Sequence, residues 1–352
     1  MAQDSRWVRW LFLGLLVPAA AGLAAWQGWA WWSWATGSVK DSEPTADQTV
    51  QIQIPPGTPG QQIGEDLEAA GLIRSAVAWK LWSRWQAQQS PGGGFQAGTY
   101  ALAPTSSMTD IANTIWTGQV LQTSFTIPEG WNRRQMADYF EQQGFFPAAE
   151  FLAATEQIPR PQYPWLPNGI PHLEGFLFPD TYQLPAEGMT AEQVRDIMLN
   201  QFEAIALPLY QQASTDLSLL DWVTLSSIVE KEAVVSEERG VIAGVFTNRL
   251  QQNIPLGADP TVEYGLGITQ TPEQPLTWEQ VETPSPYNTY INPGLPPTPI
   301  ASPGQASLAA ALAPEATDYL FFVARYDGTH VFSRTLNEHE AAKNSIRETF
   351  NN

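Results

Sequence analysis

The chain has 352 residues, of which 36 are Asp or Glu and 17 are Lys or Arg, giving a formal net charge of -19. Nucleic-acid binding depends on basic side chains that neutralise phosphates, so this charge argues against a nucleic-acid partner. Because there is no cysteine, disulfide scaffolds, cysteine nucleophiles and thiolate metal sites are excluded. Three scattered histidines (His172, His330 and His339) leave little material for a zinc site or a histidine-based triad. We therefore expect no metal and no cofactor, and a chemistry that runs on carboxylates, hydroxyls and amides.

The amino-terminal segment is predicted to be a membrane anchor. Residues 10–39 contain no charged side chain and most of them are apolar, and about 20 apolar residues are enough to span a bilayer core. Arg6 and Arg9 precede this stretch and five tryptophans crowd its far end, which is typical of a cytoplasmic amino terminus and an outer aromatic belt. We expect a cytoplasmic tail at 1–9 and a single transmembrane helix at 10–35. The alternative is a cleaved signal peptide.

A small α+β unit is predicted to follow. Residues 36–49 are small, polar and proline-containing, as in a linker. Residues 50–54 alternate apolar and polar side chains, which predicts a half-buried strand, and residues 63–70 carry apolar side chains at helical spacing until Gly71. Residues 98–102 are typical of a second strand.

An internal echo suggests that this strand–turn–helix unit occurs twice. Residues 54–73 align without gaps to residues 127–146, with six identities in twenty that include the turn residues and the glycine ending the helix. The match favours duplication of a small element. The alternative is that unrelated strand–turn–helix units share these features.

A larger region is expected from about residue 147 to the end. Helical patterns cover 190–213 and 218–252, and a hairpin is predicted at 319–334 around Asp327 and Gly328. Residues 284–303 are rich in proline, interleaved with aromatic and amide side chains that pack and bind, so we expect an ordered loop bordering a site. The predicted fold class is α+β.

One carboxylate lies on the apolar face of a predicted helix. With Leu225 as the origin and about 100° per residue, Glu232 falls in the stripe formed by Ile228 and Val229. A glutamate there is either paired or lies at a cleft where burial raises its pKa, as a general acid requires. The alternative for Glu232 is a buried salt bridge to an arginine such as Arg239 or Arg249. Glu230 and Lys231 fit a solvated face.

Four long motifs resemble the endolytic murein transglycosylase, or YceG-like, family. They are HLEGFLFPDTY (172–182), SSIVEKEAVVSEERGVIAGVFTNRL (226–250), GADPTVEYGLG (257–267) and YNTYINPGLPPTPIASPG (287–304). The resemblance runs in the same order over about the whole chain.

The resemblance implies a single-pass protein of the plasma (inner) membrane with its catalytic domain extracytoplasmic, or periplasmic. It implies a LysM-like subdomain, taken as residues 50–121, and a YceG-like catalytic domain, taken as residues 122–352, with the glutamate on a helix. The implied activity is cleavage of the β-1,4 bond between N-acetylmuramic acid and N-acetylglucosamine in nascent glycan strands. The reaction forms 1,6-anhydro ends and terminates strand elongation. Nascent glycan strands are the expected partner, and peptidoglycan synthases are candidate partners.

The resemblance also implies that Glu232, in the EKE motif, is the catalytic residue. Other lytic transglycosylases have Ser or Thr after this glutamate, and Ala233 here departs from that pattern. Because residues 41–352 carry a net charge of -21, we expect electrostatics to give no help in holding a carboxylate-bearing glycan. Contacts to the substrate are expected from the following side chains: Glu174, Asp259, Thr261, Tyr264, Tyr287, Asn288, Thr289 and Tyr290.

Two other functions stay open at this point. One is a hydrolytic muramidase that pairs Glu232 with a second carboxylate such as Asp259 or Glu174. The other is a non-catalytic peptidoglycan-binding scaffold of the wall synthesis machinery.

Overall fold

The computed structural model describes residues 4–40, 49–90, 92–185, 189–271, 273–325 and 327–350. The chain divides into two compact units: Met1–Ser124 with Gln183–Gly188, and Phe125–Tyr182 with Met189–Asn352. The expected tail (1–9) and linker (36–49) lie partly outside the described residues, because residues 1–3 and 41–48 are not among them. The expected boundary between residues 121 and 122 stays a prediction.

The first unit contains two paired strands with helices between and around them. Its elements are α1 (Asp4–Thr36), β1 (Val50–Ile54), α2 (Gly60–Ala69), α3 (Ala76–Gln89), β2 (Gly98–Leu102) and α4 (Met108–Thr117). The strands are antiparallel, with Val50 opposite Leu102, so the strands predicted at 50–54 and 98–102 are confirmed. Trp79 is fully buried in the core and stacks on Phe95 with ring centroids 4.8 Å apart.

The predicted amino-terminal helix is present as α1, which is 33 residues long. Within the residues that the structure describes, no helix is both long and apolar enough to cross a membrane. The helical part of the expectation is therefore confirmed, whereas the membrane-spanning part stays a prediction.

The two halves of the internal echo have the same local structure. The first is β1 followed by α2, and the second is β3 (Gln122–Thr126) followed by α5 (Arg133–Gln142). Gly71 and Gly144 end the two helices with φ of 68° and 76°, a left-handed conformation that glycine adopts without strain. The aligned apolar residues are all buried: Ile63 with Met136, and Leu67 with Phe140.

The second unit is mainly helical with small antiparallel sheets. After α5 its elements are α6 (Ala148–Glu156), the first part of β4 (Thr181–Pro185, which continues into the first unit from Gln183), α7 (Ala191–Gln212), α8 (Leu219–Glu232), α9 (Arg239–Gln251), α10 (Asp259–Leu266), α11 (Trp278–Val281), α12 (Gln305–Leu312), β5 (Phe321–Ala324), β6 (His330–Ser333) and α13 (Leu336–Phe350). Strand β3 pairs with β4, and β5 pairs with β6. The expected α+β class is confirmed, as are the helix at 190–213 and the hairpin around Gly328.

Helix α8 packs against α9 and α12 in the centre of this unit. Trp222 of α8 is fully buried, and its indole N–H donates to the Leu308 carbonyl over 2.9 Å. Ser218 caps the amino terminus of α8 by accepting a hydrogen bond from the Asp221 N–H. The residues from Trp222 to Val229 are all buried, so α8 is enclosed on every side over these two turns, and the predicted apolar stripe is one part of that buried surface.

The single helical stretch predicted at 218–252 is wrong. It consists of two helices, because Ala233 leaves the helical conformation (φ -80°, ψ 105°) and a 3₁₀ turn follows at Ser236–Glu238. Val234 and Val235, which are β-branched and favour extended backbone, lie in the break. Glu232 is consequently the last residue of α8 rather than a residue in the middle of a helix.

Candidate active site

Glu232 lies half-buried at the carboxyl end of α8. Among the described residues its carboxyl group has no hydrogen bond or ion pair, so the alternative of a buried salt bridge is not realised. Arg239 instead approaches Glu230, and the Arg249 guanidinium donates to the backbone carbonyls of Leu256 and Leu320.

The surroundings of Glu232 favour its protonated form. Its pKa is raised to about 8, chiefly by burial and then by the neighbouring carboxylates of Asp259 and Glu263. Arg249 and Lys231 act in the opposite direction but do not cancel these effects. The carboxyl group is therefore largely protonated at neutral pH, which is the state that a general acid needs.

Glu230 is not on a solvated face, so that prediction is wrong. Its side chain is only 7% exposed and lies 3.7 Å from the Arg239 guanidinium. One carboxylate oxygen accepts the Gly304 N–H over 3.0 Å, and the absence of a Cβ at Gly304 leaves room for the neighbouring Glu129 carboxylate. Glu230 holds the amino terminus of α12 against α8. Lys231 is exposed, as expected.

Two of the predicted motifs are joined by a buried hydrogen-bond network. The Thr289 hydroxyl accepts the Ala258 N–H over 3.0 Å and lies 2.9 Å from the Thr261 hydroxyl. The Gly257 N–H donates to the Thr289 carbonyl over 3.1 Å. Thr261 and Thr289 are 0% and 1% exposed, so they fix the loop at 287–290 to the start of α10 and do not face a ligand.

Asp259 and Tyr290 are brought together by this network. The Tyr290 hydroxyl donates to the Asp259 carboxylate over 2.6 Å, and Tyr290 is exposed. Since Asp259 also acts electrostatically on Glu232, this pair belongs to the surroundings of the acid. Tyr290 is therefore available to a ligand in a way that Thr289 is not.

Asn288 is buried inside the loop. Its amide donates to the carbonyls of Val281 and Thr283, and its side-chain oxygen accepts the Tyr290 N–H. These contacts use the amide to hold the proline-rich loop in shape. The loop is thus ordered, as expected from the sequence, but Asn288 supports it from within.

Glu174 is buried, at 1% exposure. Its carboxylate accepts the Arg133 N–H at the start of α5 over 3.0 Å and the Tyr264 hydroxyl over 2.9 Å. Burial raises the pKa of Glu174 to about 7, although Arg133 opposes the rise. Its partners are groups of the protein itself, so it positions Tyr264.

Tyr264 and Tyr287 form an aromatic pair beside Glu174. Their ring centroids are 4.8 Å apart in an edge-to-face arrangement, and the Tyr287 hydroxyl lies 2.9 Å from that of Thr298. Tyr264 also lines an open cleft.

This cleft has a volume of about 270 Å³ and borders the end of α8. It is lined by residues of α5, α8 and α10, of the turn before α5 and the segment after α10, and by Ile300: Gly130, Asn132, Arg134, Gln135, Asp138, Lys231, Pro260, Glu263, Tyr264, Gly267, Ile268, Thr269 and Ile300. Of the side chains expected to contact substrate, Tyr264 lines it. Glu232 is not among the lining residues, although its neighbour Lys231 and Glu263, one of the carboxylates that raise its pKa, are. Sequence reasoning missed Arg134, Asp138 and Glu263, for which the only signal was a position inside or near a motif. No group of three or more His, Asp or Glu side chains suited to a metal ion occurs among the described residues.

Comparison with known proteins places these features in a family. The model of the YceG-like family matches residues 52–345. An endolytic murein transglycosylase of Bacillus subtilis is 32% identical over 84% of this chain and 84% of its own length. Endolytic murein transglycosylases of two Streptococcus pneumoniae strains are 30% and 31% identical over 83% of this chain, which spans 57% of their length.

A solved structure has the same fold. A crystal structure of a YceG-like protein of Listeria monocytogenes superimposes with a TM-score of 0.55 at 33% sequence identity, covering 84% of this chain and 99% of that one. The chain belongs to the YceG-like family.

Proposed function

We propose that this chain is an endolytic murein transglycosylase and that Glu232 is its catalytic acid and base. The observation that carries the proposal is an unpaired carboxyl group at the end of α8 whose pKa is raised to about 8, next in sequence to Lys231, which lines an open cleft. The names of the relatives in Bacillus subtilis and Streptococcus pneumoniae support murein as the substrate.

The first chemical step needs a proton donor. Protonated Glu232 donates to the oxygen of the β-1,4 bond between N-acetylmuramic acid and N-acetylglucosamine, and the bond from C1 of the muramyl residue to that oxygen breaks. The positive charge that develops at C1 is met by the sugar's own 2-acetamido group. A second carboxylate near C1 is therefore not required, unlike in most glycosidases.

The second step returns the proton to the enzyme. Glu232, now a carboxylate, takes the proton from the muramyl 6-hydroxyl while that oxygen attacks C1, giving a 1,6-anhydro end. No water is consumed and Glu232 ends protonated, ready for another cycle. Arg249 and Lys231 stabilise the carboxylate form between the two steps, since both lower its pKa.

The experiment compares the full-length protein with its Glu232→Gln variant on uncrosslinked glycan strands, with released ends identified by mass spectrometry. Internal fragments ending in 1,6-anhydromuramic acid, lost in the variant, are the expected result. Glu237→Gln is the matched control, because Glu237 is an exposed glutamate of the following 3₁₀ turn. General acid–base catalysis contributes about 10²–10⁴-fold, so a loss of at least about 100-fold is expected.

Other products would favour other functions. Reducing ends would make the protein a hydrolytic muramidase, with Asp259 as the next carboxylate to substitute. Strand binding without cleavage by the unmodified protein would favour a scaffold of the wall synthesis machinery.

We also propose the finer features that the sequence predicts. Residues 10–35 anchor the protein in the plasma membrane with the catalytic unit outside the cytoplasm, a proposal supported by the uncharged stretch 10–39 and the arginines before it. Residues 50–121 form a LysM-like subdomain, supported by the order strand, helix, helix, strand with the two strands paired. The enzyme ends strand elongation beside peptidoglycan synthases.

Alkaline carbonate washing of cell membranes tests the anchor. The full-length protein is expected to stay in the membrane pellet. Release into the wash would contradict the anchor and leave the enzymatic proposal untouched.

A further inference from the structure

The cleft at the end of α8 is lined by two cations that form no ion pair among the described residues. Arg134 of α5 and Lys231 of α8 both line it. Among the described residues, neither has a carboxylate within the 4.0 Å of an ion pair, and the ion pairs that exist elsewhere in the chain do not involve them. The chain has 36 acidic residues for 17 basic ones, so two unpaired cations at one cleft call for an explanation.

Both cations are exposed, and the neighbours described for them are uncharged. The Arg134 guanidinium lies over the Tyr264 ring, 6.0 Å from its centroid, and Tyr264 is itself fixed by the buried Glu174. The Lys231 chain packs near Gly130, where φ is 76° and an added Cβ would lie 3.7 Å from the lysine Cδ. These neighbours use none of the charged N–H donors of Arg134 and Lys231, which stay open to a ligand.

Two carboxylates also line the cleft. One oxygen of Glu263 accepts the Gln270 N–H over 2.8 Å, whereas Asp138 lies one turn after Arg134 on α5 without an ion pair to it. The cleft therefore presents both signs of charge. Sugar hydroxyls can hydrogen-bond to side chains of either charge, but a peptide with carboxylates and an amino group matches both signs of charge in the lining.

We propose that this cleft binds the stem peptide of the muramyl residue at the cleavage point, with Arg134 and Lys231 binding its carboxylates. The inference rests on the proposed function. In murein the peptide is joined to the lactyl group of the muramyl residue next to the bond that breaks, so a peptide site is expected beside the acid. Arg134 and Lys231 supply local positive charge at the cleft. The chain as a whole is negatively charged, and its net charge alone would not attract a ligand with carboxylates.

The test measures cleavage of two strand preparations by the full-length protein and its Arg134→Gln/Lys231→Gln double variant. One preparation keeps its stem peptides, and the other is stripped of them by an amidase, which leaves only the lactyl carboxylate. Lys343→Gln/Arg347→Gln is the matched control, because it removes the same charge from α13.

On peptide-bearing strands the double variant is expected to raise KM about tenfold, the effect of losing partly exposed charge-assisted hydrogen bonds. On stripped strands the rise in KM should be far smaller, whereas a change in kcat that follows from the effect of Lys231 on Glu232 should be the same on both preparations. The α13 control should match the unmodified protein on both. Added salt should weaken binding of peptide-bearing strands by the unmodified protein more than by the double variant. An equal rise on both preparations, or no rise on peptide-bearing strands, overturns the inference.

A binding measurement separates this inference from the proposed function. The affinity of peptide-bearing strands is measured for Glu232→Gln and for Glu232→Gln with Arg134→Gln and Lys231→Gln. About tenfold weaker binding by the triple variant than by Glu232→Gln supports the peptide site, even if the unmodified protein cleaves nothing. Equal affinities refute the site even if cleavage occurs.

Discussion

Asp259→Asn should move the pH dependence of catalysis. The pKa of Glu232 is raised from 4.5 to about 8, with burial as the largest cause and Asp259 as the next. A rise of that size corresponds to about 5 kcal/mol against the ionised form. A nearby charge shifts a carboxyl pKa by about one unit or more. Asparagine has no such charge, and we expect the pKa of Glu232 to fall from about 8 to about 7.

The sign and size of the effect follow from the role of Glu232 as an acid. Activity is lost as pH rises through its pKa, so the alkaline limb of kcat/KM should move down by about one unit. At pH 8 the protonated fraction should drop from about one half to about one tenth, a loss of about fivefold, with little change at pH 6.

The assay is the initial rate of strand cleavage between about pH 5 and pH 10, the range in which the acid titrates. Asp138→Asn is the control, because Asp138 lines the same cleft but is not among the charges that act on Glu232. The alkaline limb of kcat/KM should be unchanged in this variant. The reasoning would be refuted if the alkaline limb of Asp259→Asn lay at the same pH as in the unmodified protein, or at a higher pH.

Three further predictions concern stability. Because the folded pKa of Glu174 is about 7 and its ordinary value 4.5, the unfolded state releases its proton first, and stability should fall as pH rises between these values. Denaturant titrations at several pH values should show that the free energy of unfolding falls by about 3 kcal/mol more for the unmodified protein than for Glu174→Gln over this range. The same pH dependence in both proteins would contradict this. Thr289→Val leaves the buried Ala258 N–H without its acceptor and should cost about 1–3 kcal/mol, measured by urea unfolding. Arg239→Ala leaves Glu230, 7% exposed, without its cation and should cost up to about 3 kcal/mol; an unchanged melting temperature would show that the Gly304 N–H alone satisfies Glu230.

Local patterns along the chain were sufficient to predict most of its elements. The alternation at 50–54 and the turn at Asp327 and Gly328 depend on neighbours in sequence, and the strand and hairpin formed as expected. The apolar stripe of α8 likewise singled out Glu232. A helical wheel measures the angle of a side chain on its own helix, and that angle is set by the sequence.

The wheel contains no information about what packs on each face, and the tertiary structure decided that. Glu230 is buried because the Gly304 N–H, 74 residues further along the chain, binds it. Glu174 is enclosed by Arg133 and by Tyr264, which are 41 and 90 residues away. Arg134 and Lys231 line the same cleft although they belong to α5 and α8, so their proximity to one cleft also depends on the tertiary structure. Sequence determined which groups this protein has for its chemistry, whereas packing between distant segments decided which of them are left open to a substrate.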